Sequence, residues 1–187
     1  MKNEKITDFF IGNLLTSAKI DFTPNGSNIK EIQQALKTAS KKGTGNVGFP
    51  EFTSKSNEFI LVIEDKANIE HQANYEDDVK ASLASDIKSI TNYAENGALH
   101  YAKEIVAKTS FKQVFAFGCT GDEKHHQIRP IYVDKNGYKL LHPVENFENF
   151  SVANIEKYYK EQVLGEIPPE ILETEEVIKK QLRYMKC

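Results

Sequence analysis

The stretch GNVGFPEFTSKSNEFILVIEDKA, residues 45–67, decides the reading of this chain. Phe59-Ile60-Leu61-Val62-Ile63 is one of its most apolar runs, yet it ends in three charges, Glu64-Asp65-Lys66. Desolvating charge at the edge of a core is costly, so a buried strand usually closes on a turn residue instead. A second carboxylate, Glu51, lies thirteen positions before Glu64 and directly follows Pro50. Strand side chains alternate between faces, which places Ile60, Val62, Glu64 and Lys66 on one side and Leu61, Ile63 and Asp65 on the other. A run apolar on both faces is a central strand covered by helices. Glu64 and Lys66 therefore leave the end of a rigid, buried element together.

The rest of the chain gives that strand a setting. Residues 3–19 have helical spacing of apolar positions, and so do residues 29–41, after a turn at Pro24–Asn28 in which Ser27 or Asn28 is a candidate N-cap. Residues 47–52 and 58–66 are strand candidates joined by the polar linker 53–57. The pattern predicts a helix from about 78 to 107, with Val79, Leu83, Ile87 and Ile90 facing the core and Gly97 breaking or bending it. Strands are expected at 113–117 and 127–133. Pro130 points the latter toward a sheet edge, since it cannot donate to a central ladder. Asp134-Lys135-Asn136-Gly137 reads as a hairpin turn. This order predicts an α/β protein with a mixed central sheet of about four or five strands, helices on both faces, an N-terminal helical segment and a helical C-terminal extension.

At 187 residues the chain has the length of one ordinary domain, assigned to 1–150, with 151–187 as a helical connector to a further domain. With 27% charged residues and no apolar run near the ~18–20 needed to cross a bilayer, a membrane protein is excluded. The amphipathic, acid-containing N-terminus is unlike a targeting peptide. Cys119 and Cys187 form no metal or disulfide framework, so a reducing cytoplasm is the expected location. The net charge of −3 argues against a free-standing nucleic-acid binder, but it does not exclude one whose gripping surface lies in another domain of a larger protein, and it says little about chemistry. Gly118 and Gly121 lack the spacing and trailing Lys-Ser/Thr of a phosphate-binding loop.

Two carboxylates, Glu51 and Glu64, with the Asp65 backbone carbonyl between Glu64 and Lys66, offer hard oxygen donors suited to Mg²⁺, or to Mn²⁺ in its place. A lysine two residues on can orient a water or meet charge growing on a phosphate. Taken from these residues alone, the same pattern also fits a solvated strand end with a surface ion pair.

Pro50-Glu51…Glu64-Asp65-Lys66 resembles the PD-(D/E)xK nuclease signature, with Glu for the first Asp. Further stretches, Ala39-Ser40-Lys41-Lys42-Gly43, Gly48-Phe49-Pro50-Glu51-Phe52 and Tyr93-Ala94-Glu95-Asn96-Gly97-Ala98-Leu99-His100-Tyr101-Ala102, resemble the N-terminal endonuclease domain of type I and type IIG restriction–modification enzymes. The similarity covers about residues 29–135. It implies a restriction-endonuclease-like fold and a Mg²⁺-dependent deoxyribonuclease acting on double-stranded DNA, with methyltransferase and specificity modules in cis or in trans. Glu51 and Glu64 would hold the metal with the Asp65 carbonyl, and Lys66 would be the catalytic lysine. Relatives often place a Gln four residues before the helix Tyr; aligned on Tyr93, that position is Ser89. An N-terminal helix acid is common, with Glu31 as its candidate. Lys37, Lys41, Lys42 and His71 are candidate DNA contacts, and Tyr93, His100 and Tyr101 are candidate supports. The rival functions are a non-catalytic DNA-binding or assembly domain on the same fold, and a repair or junction nuclease.

Overall fold

A computed structural model describes residues 3–184 of the chain; Cys187 lies outside them. The elements in order are α1 (Glu4–Ser17), β1 (Thr23–Pro24), α2 (Lys30–Leu36), β2 (Phe52–Ser56), β3 (Phe59–Lys66), α3 (Ile87–Asn92), α4 (Ala94–Lys108), β4 (Val114–Gly121), β5 (His126–Asp134), β6 (Gly137–Leu140), α5 (Ile155–Tyr158) and α6 (Pro169–Tyr184). The strands form one mixed sheet in the order β1-β2-β3-β4-β5-β6, with β3 and β4 parallel and the other neighbours antiparallel. The α/β class is as expected. The sheet reaches six strands because the two-residue β1 and the four-residue β6 extend its edges.

Strand β3 is buried on both faces, and its alternation divides the core. Phe59, Leu61 and Ile63 pack with Ile11 and Leu15 of α1 and with Phe147, Phe150, Ile155 and Tyr158. Ile60 and Val62 pack on the other side with Ile32, Ala98, Leu99 and Ile105 of α2 and α4. Ile155 and Tyr158 thus belong to the packed core, which runs past the boundary expected at 150. Beyond it, α6 exposes Val177, Ile178 and Leu182. Among the described residues no helix is long and apolar enough to cross a membrane.

Several boundaries differ from expectation, each for a local reason. The second helix ends at Leu36, not 41, because the Leu36 carbonyl accepts the N–H groups of Ala39 and Gly48 and turns the chain. Its N-cap position is Ile29; Ser27 Oγ instead accepts from the Ile29 N–H. Residues 47–51 are not a strand: Pro50 and Glu51 give their carbonyls to the N–H groups of Gly26 and Asn25. The supposed linker is β2, two of whose hydroxyls are satisfied by backbone, Thr53 on Gly26 and Ser54 on Asp21.

The long helix expected over 78–107 is two helices. Residues 78–86 are irregular, and Val79 is 80% exposed. The Asn96 side chain bonds the backbone of Asn74 and Ala84, fixing this segment as a loop. Asp86 caps α3 through the Ser89 N–H. The break falls at the extended Tyr93, and Gly97 lies inside α4. Strand β5 is flanked on both sides, so Pro130 is not on an edge strand. Its carbonyl accepts from the N–H of Leu141, just past the end of β6, so its missing N–H breaks no ladder bond. The hairpin turn lies where expected, between Asp134 and Gly137.

Candidate active site

The parallel pairing of β3 and β4 brings Glu64, Asp65 and Lys66 beside Gly118, Cys119 and Thr120 at one end of the sheet. Glu64 points toward α4 and is fully buried. Its Oε2 accepts from Lys41 Nζ at 2.5 Å, while its Oε1 is buried without a hydrogen-bond partner. Gly97 makes room for it: a Cβ there would lie 3.2 Å from Glu64 Oε2.

Glu51, half-buried, lies within electrostatic reach. Burial first, then the charges of Glu64 and Asp8, push its carboxyl up to about 7, against the pull of Lys41 and Lys66. Tyr101 closes the α4 side: its hydroxyl accepts the Phe49 N–H at 3.0 Å, and burial and the charge of Glu64 raise its pKa. His100 bonds the Ala39 carbonyl at 2.9 Å, so both residues brace the segment leading to Glu51. Lys66 lies in an open cleft of about 1110 Å³, lined also by Asn3, Glu4, Asn68 and His71. Its ammonium is 3.9 Å from the exposed Glu4. His71 packs beside Tyr93 with the rings tilted by 57° and their centroids 5.7 Å apart. Lys37 and Lys42 are exposed, and Lys42 borders a groove beside Lys41 and Tyr101.

Two expectations change. Glu31 belongs to another part of the molecule: it accepts from the backbone and hydroxyl of Ser110, at the end of the sheet where β4 begins. It ties α2 to the loop after α4. The Asp65 side chain does lie on the opposite face, but it is 2% exposed and not isolated. Burial, the charges of Asp8 and Glu51 and a hydrogen bond with Asp8 hold its pKa well above the carboxylate range. Asp8 is a site neighbour that the sequence reading missed, since only the packing of α1 on β3 brings it there.

A second group was also missed. Gln72 donates to Glu95 Oε1 at 3.0 Å and to the Gly118 carbonyl at 2.8 Å, and accepts from Thr120 Oγ1 at 2.6 Å. It pins the segment after Lys66 to β4 and to the start of α4. Glu95 is buried 4.0 Å from Arg129, and burial outweighs Gln72 and Arg129 to raise its carboxyl to about 7. The folded chain therefore keeps a proton on Glu95 between about pH 4.5 and 7, where the unfolded chain has released it. The resulting stability is present below the unfolded pKa and lost as pH rises through 7. Glu51 contributes with the same sign. Melting followed by circular dichroism should show Tm falling from pH 5 to pH 8, and Glu95→Gln should flatten that slope.

Among the described residues no three His, Cys, Asp or Glu side chains are grouped to hold a metal ion by themselves. What the site does offer is two oxygen-donor carboxylates that repel each other, one of them with an unbonded buried oxygen. That donor chemistry fits a hard divalent cation completed by carbonyl and water ligands.

Comparison with curated proteins finds a type II restriction enzyme and methyltransferase, RM.BcgI of Heyndrickxia coagulans, 38% identical over 182 residues. The chain is homologous to part of that restriction enzyme and methyltransferase. The match takes in 96% of this chain but 28% of that relative, so the chain spans little more than a quarter of its length. No family model and no solved structure matches the chain.

Proposed function

We propose that this chain is the cleavage module of a restriction–modification enzyme, hydrolysing phosphodiester bonds of double-stranded DNA with Mg²⁺. The observation that carries the reading is Glu64, fully buried at the end of β3 with one oxygen unbonded and the Glu51 charge beside it. Lys41 satisfies Oε2 alone, and a buried carboxylate oxygen left without a partner near a second carboxylate favours a further cation. Similarity to part of a protein that is a restriction enzyme and methyltransferase supports this reaction class.

Glu51, Glu64 and the Asp65 carbonyl would hold the ion, as the PD-(D/E)xK resemblance implies. A bound Mg²⁺ would polarise the phosphate and make a bound water more acidic. The chain's own residues do the rest. Lys66, reaching into the open cleft, meets the negative charge that grows as water attacks phosphorus. Gln72, Glu95 and Thr120 hold the end of β3 and the segment beyond it in one geometry. Lys42 and the exposed Phe49 border one groove beside Lys41, Lys37 is also exposed, and contacts of these lysines with a duplex would be with its backbone. The relative is named as a methyltransferase as well, which supports such a module as partner, and a cytoplasmic setting follows from that role.

The test is plasmid cleavage by the chain, with its methyltransferase partner supplied, in Mg²⁺ and in chelator. Nicked and linear products should appear only with metal, and Glu64→Ala should give none at low Mg²⁺. Cleavage that persists in chelator, or in Glu64→Ala at every metal concentration, would remove the metal from the mechanism.

A further inference from the structure

The Lys41–Glu64 contact has a meaning beyond DNA binding. Lys41 Nζ sits on Glu64 Oε2 at 2.5 Å, and among the described residues it is the ion-pair partner that Glu64 has. The Lys41 side chain is 17% exposed and its ammonium lies 5.7 Å from the centre of the Tyr101 ring. A positive charge therefore already occupies the carboxylate assigned to the metal. Two cations on one buried carboxylate repel each other in surroundings that screen poorly.

Lys41 lies on a short loop that contains two glycines of positive φ. Both ends of its loop are fixed. The Ala39 carbonyl is held by His100 at 2.9 Å, and the Gly48 N–H donates to the Leu36 carbonyl at 2.8 Å. A Cβ on Gly48 would lie 2.5 Å from the Ala39 carbonyl and from the Tyr101 ring, so this anchor has no slack. Between the anchors the loop is closed on itself by three bonds: Gly43 N–H to the Ser40 carbonyl and Ser40 N–H to the Asn46 carbonyl, both 3.0 Å, and Lys42 N–H to Ser40 Oγ at 3.3 Å. Gly43 and Gly45 have φ of +65° and +70°, and Gly45 has nothing within 4 Å of its Cβ position. A groove of about 430 Å³ lined by Lys42, Thr44, Asn46 and Phe49 lies beside Lys41 and can receive its ammonium.

We propose that Lys41 is a built-in counter-ion that holds Glu64 in the metal-free protein and must be displaced for a divalent cation to load. Loading then frees the 41–47 loop on the face where DNA is expected. This rests on the nuclease reading of Glu64, and the test separates the two.

Mn²⁺ affinity is measured by titration calorimetry on the chain without DNA, so no turnover enters. The proteins are the parent, Lys41→Met, Lys41→Gln and Lys66→Met. A hydrogen bond to a charged group corresponds to about a 10–100-fold change in an equilibrium constant. Lys41→Met should bind Mn²⁺ tighter by at least about tenfold on that scale. Lys66→Met, which removes a nearby charge not seated on Glu64, should tighten it by no more than about threefold. Lys41→Gln, which keeps a donor for Glu64 without the charge, should fall between and serves if Lys41→Met folds poorly. Amide exchange gives a second readout. Residues 41–47 of the parent should exchange faster once Mn²⁺ is added, and those of Lys41→Met should be fast with or without it.

If Lys41→Met binds Mn²⁺ no tighter than Lys66→Met, and the loop of the parent does not respond to metal, lysine and metal share Glu64 and the displacement idea fails alone. If none of the four proteins binds Mn²⁺, the metal-dependent reading of the site fails with it. Binding by Lys41→Met where the parent shows none would be the strongest support.

Discussion

Lys66→Ala should lower the cleavage rate by on the order of 10²–10³ while leaving the protein folded and able to bind metal. Its ammonium is 3.9 Å from Glu4, an exposed residue, and an ion pair of that kind contributes little to stability. The backbone of Lys66 pairs with Thr120 in the parallel ladder, and alanine keeps that pairing. What alanine removes is a charge aimed into the open cleft, where negative charge would build on the phosphate as water attacks. An interaction that strengthens only in the transition state is lost from kcat and hardly from binding. Single-turnover cleavage at saturating Mg²⁺ separates the two, and Mn²⁺ titration checks that loading survives. A Lys66→Ala protein that cuts at the parental rate would reduce this lysine to a surface ion pair with Glu4.

The part of the site that could be read in the sequence is the part carried by one strand. Phe59–Ile63 is apolar on both faces, so its central position and the direction of Glu64 followed from period-two alternation alone. The helix behind it was less legible. Gly97 looks like a helix breaker, yet in the folded chain its missing Cβ is what admits the Glu64 carboxylate against α4. Thr53, Ser54 and Ser56 look like a solvated linker, but the hydroxyls of Thr53 and Ser54 bond the backbone of residues 21–26, so β2 is buried despite its polarity. Asp8, Gln72 and Glu95 carry no local signal at all. Gln72 meets Gly118 across 46 positions of sequence, and only the parallel pairing of β3 with β4 brings them together. Glu31 shows the converse. A helix acid matches the expected type, but its place is fixed by Ser110, at the far end of the sheet.

That dependence on tight packing between β4 and α4 leads to the second large effect, on stability. Gly118 pairs with Glu64 in the ladder and faces the first turn of α4. A Cβ there would lie 2.5 Å from the Glu95 backbone nitrogen and from its Cγ, and 2.7 Å from its Cα. Most of these are backbone atoms of a helix start, so no rotamer change relieves the contact. Nor can α4 back away freely. The Glu95 N–H donates to the Gln72 carbonyl at 2.9 Å, and Asn96 holds the loop at Asn74 and Ala84. Gly118→Ala should therefore destabilise the chain by about 3 kcal/mol, at the upper end of ordinary overpacking. For a domain of this size that is a fall in Tm of roughly 6–12 °C. Gly45→Ala is the matched control: it also places alanine at a glycine, with positive φ but open space, and should cost only about 1–2 kcal/mol. Because α4 carries Gly97 against Glu64, Gly118→Ala should also weaken Mn²⁺ binding at temperatures where it remains folded. A Gly118→Ala protein melting within a degree of the parent would mean that the start of α4 yields easily, and the rigid seating of Glu64 argued from Gly97 would fall with it.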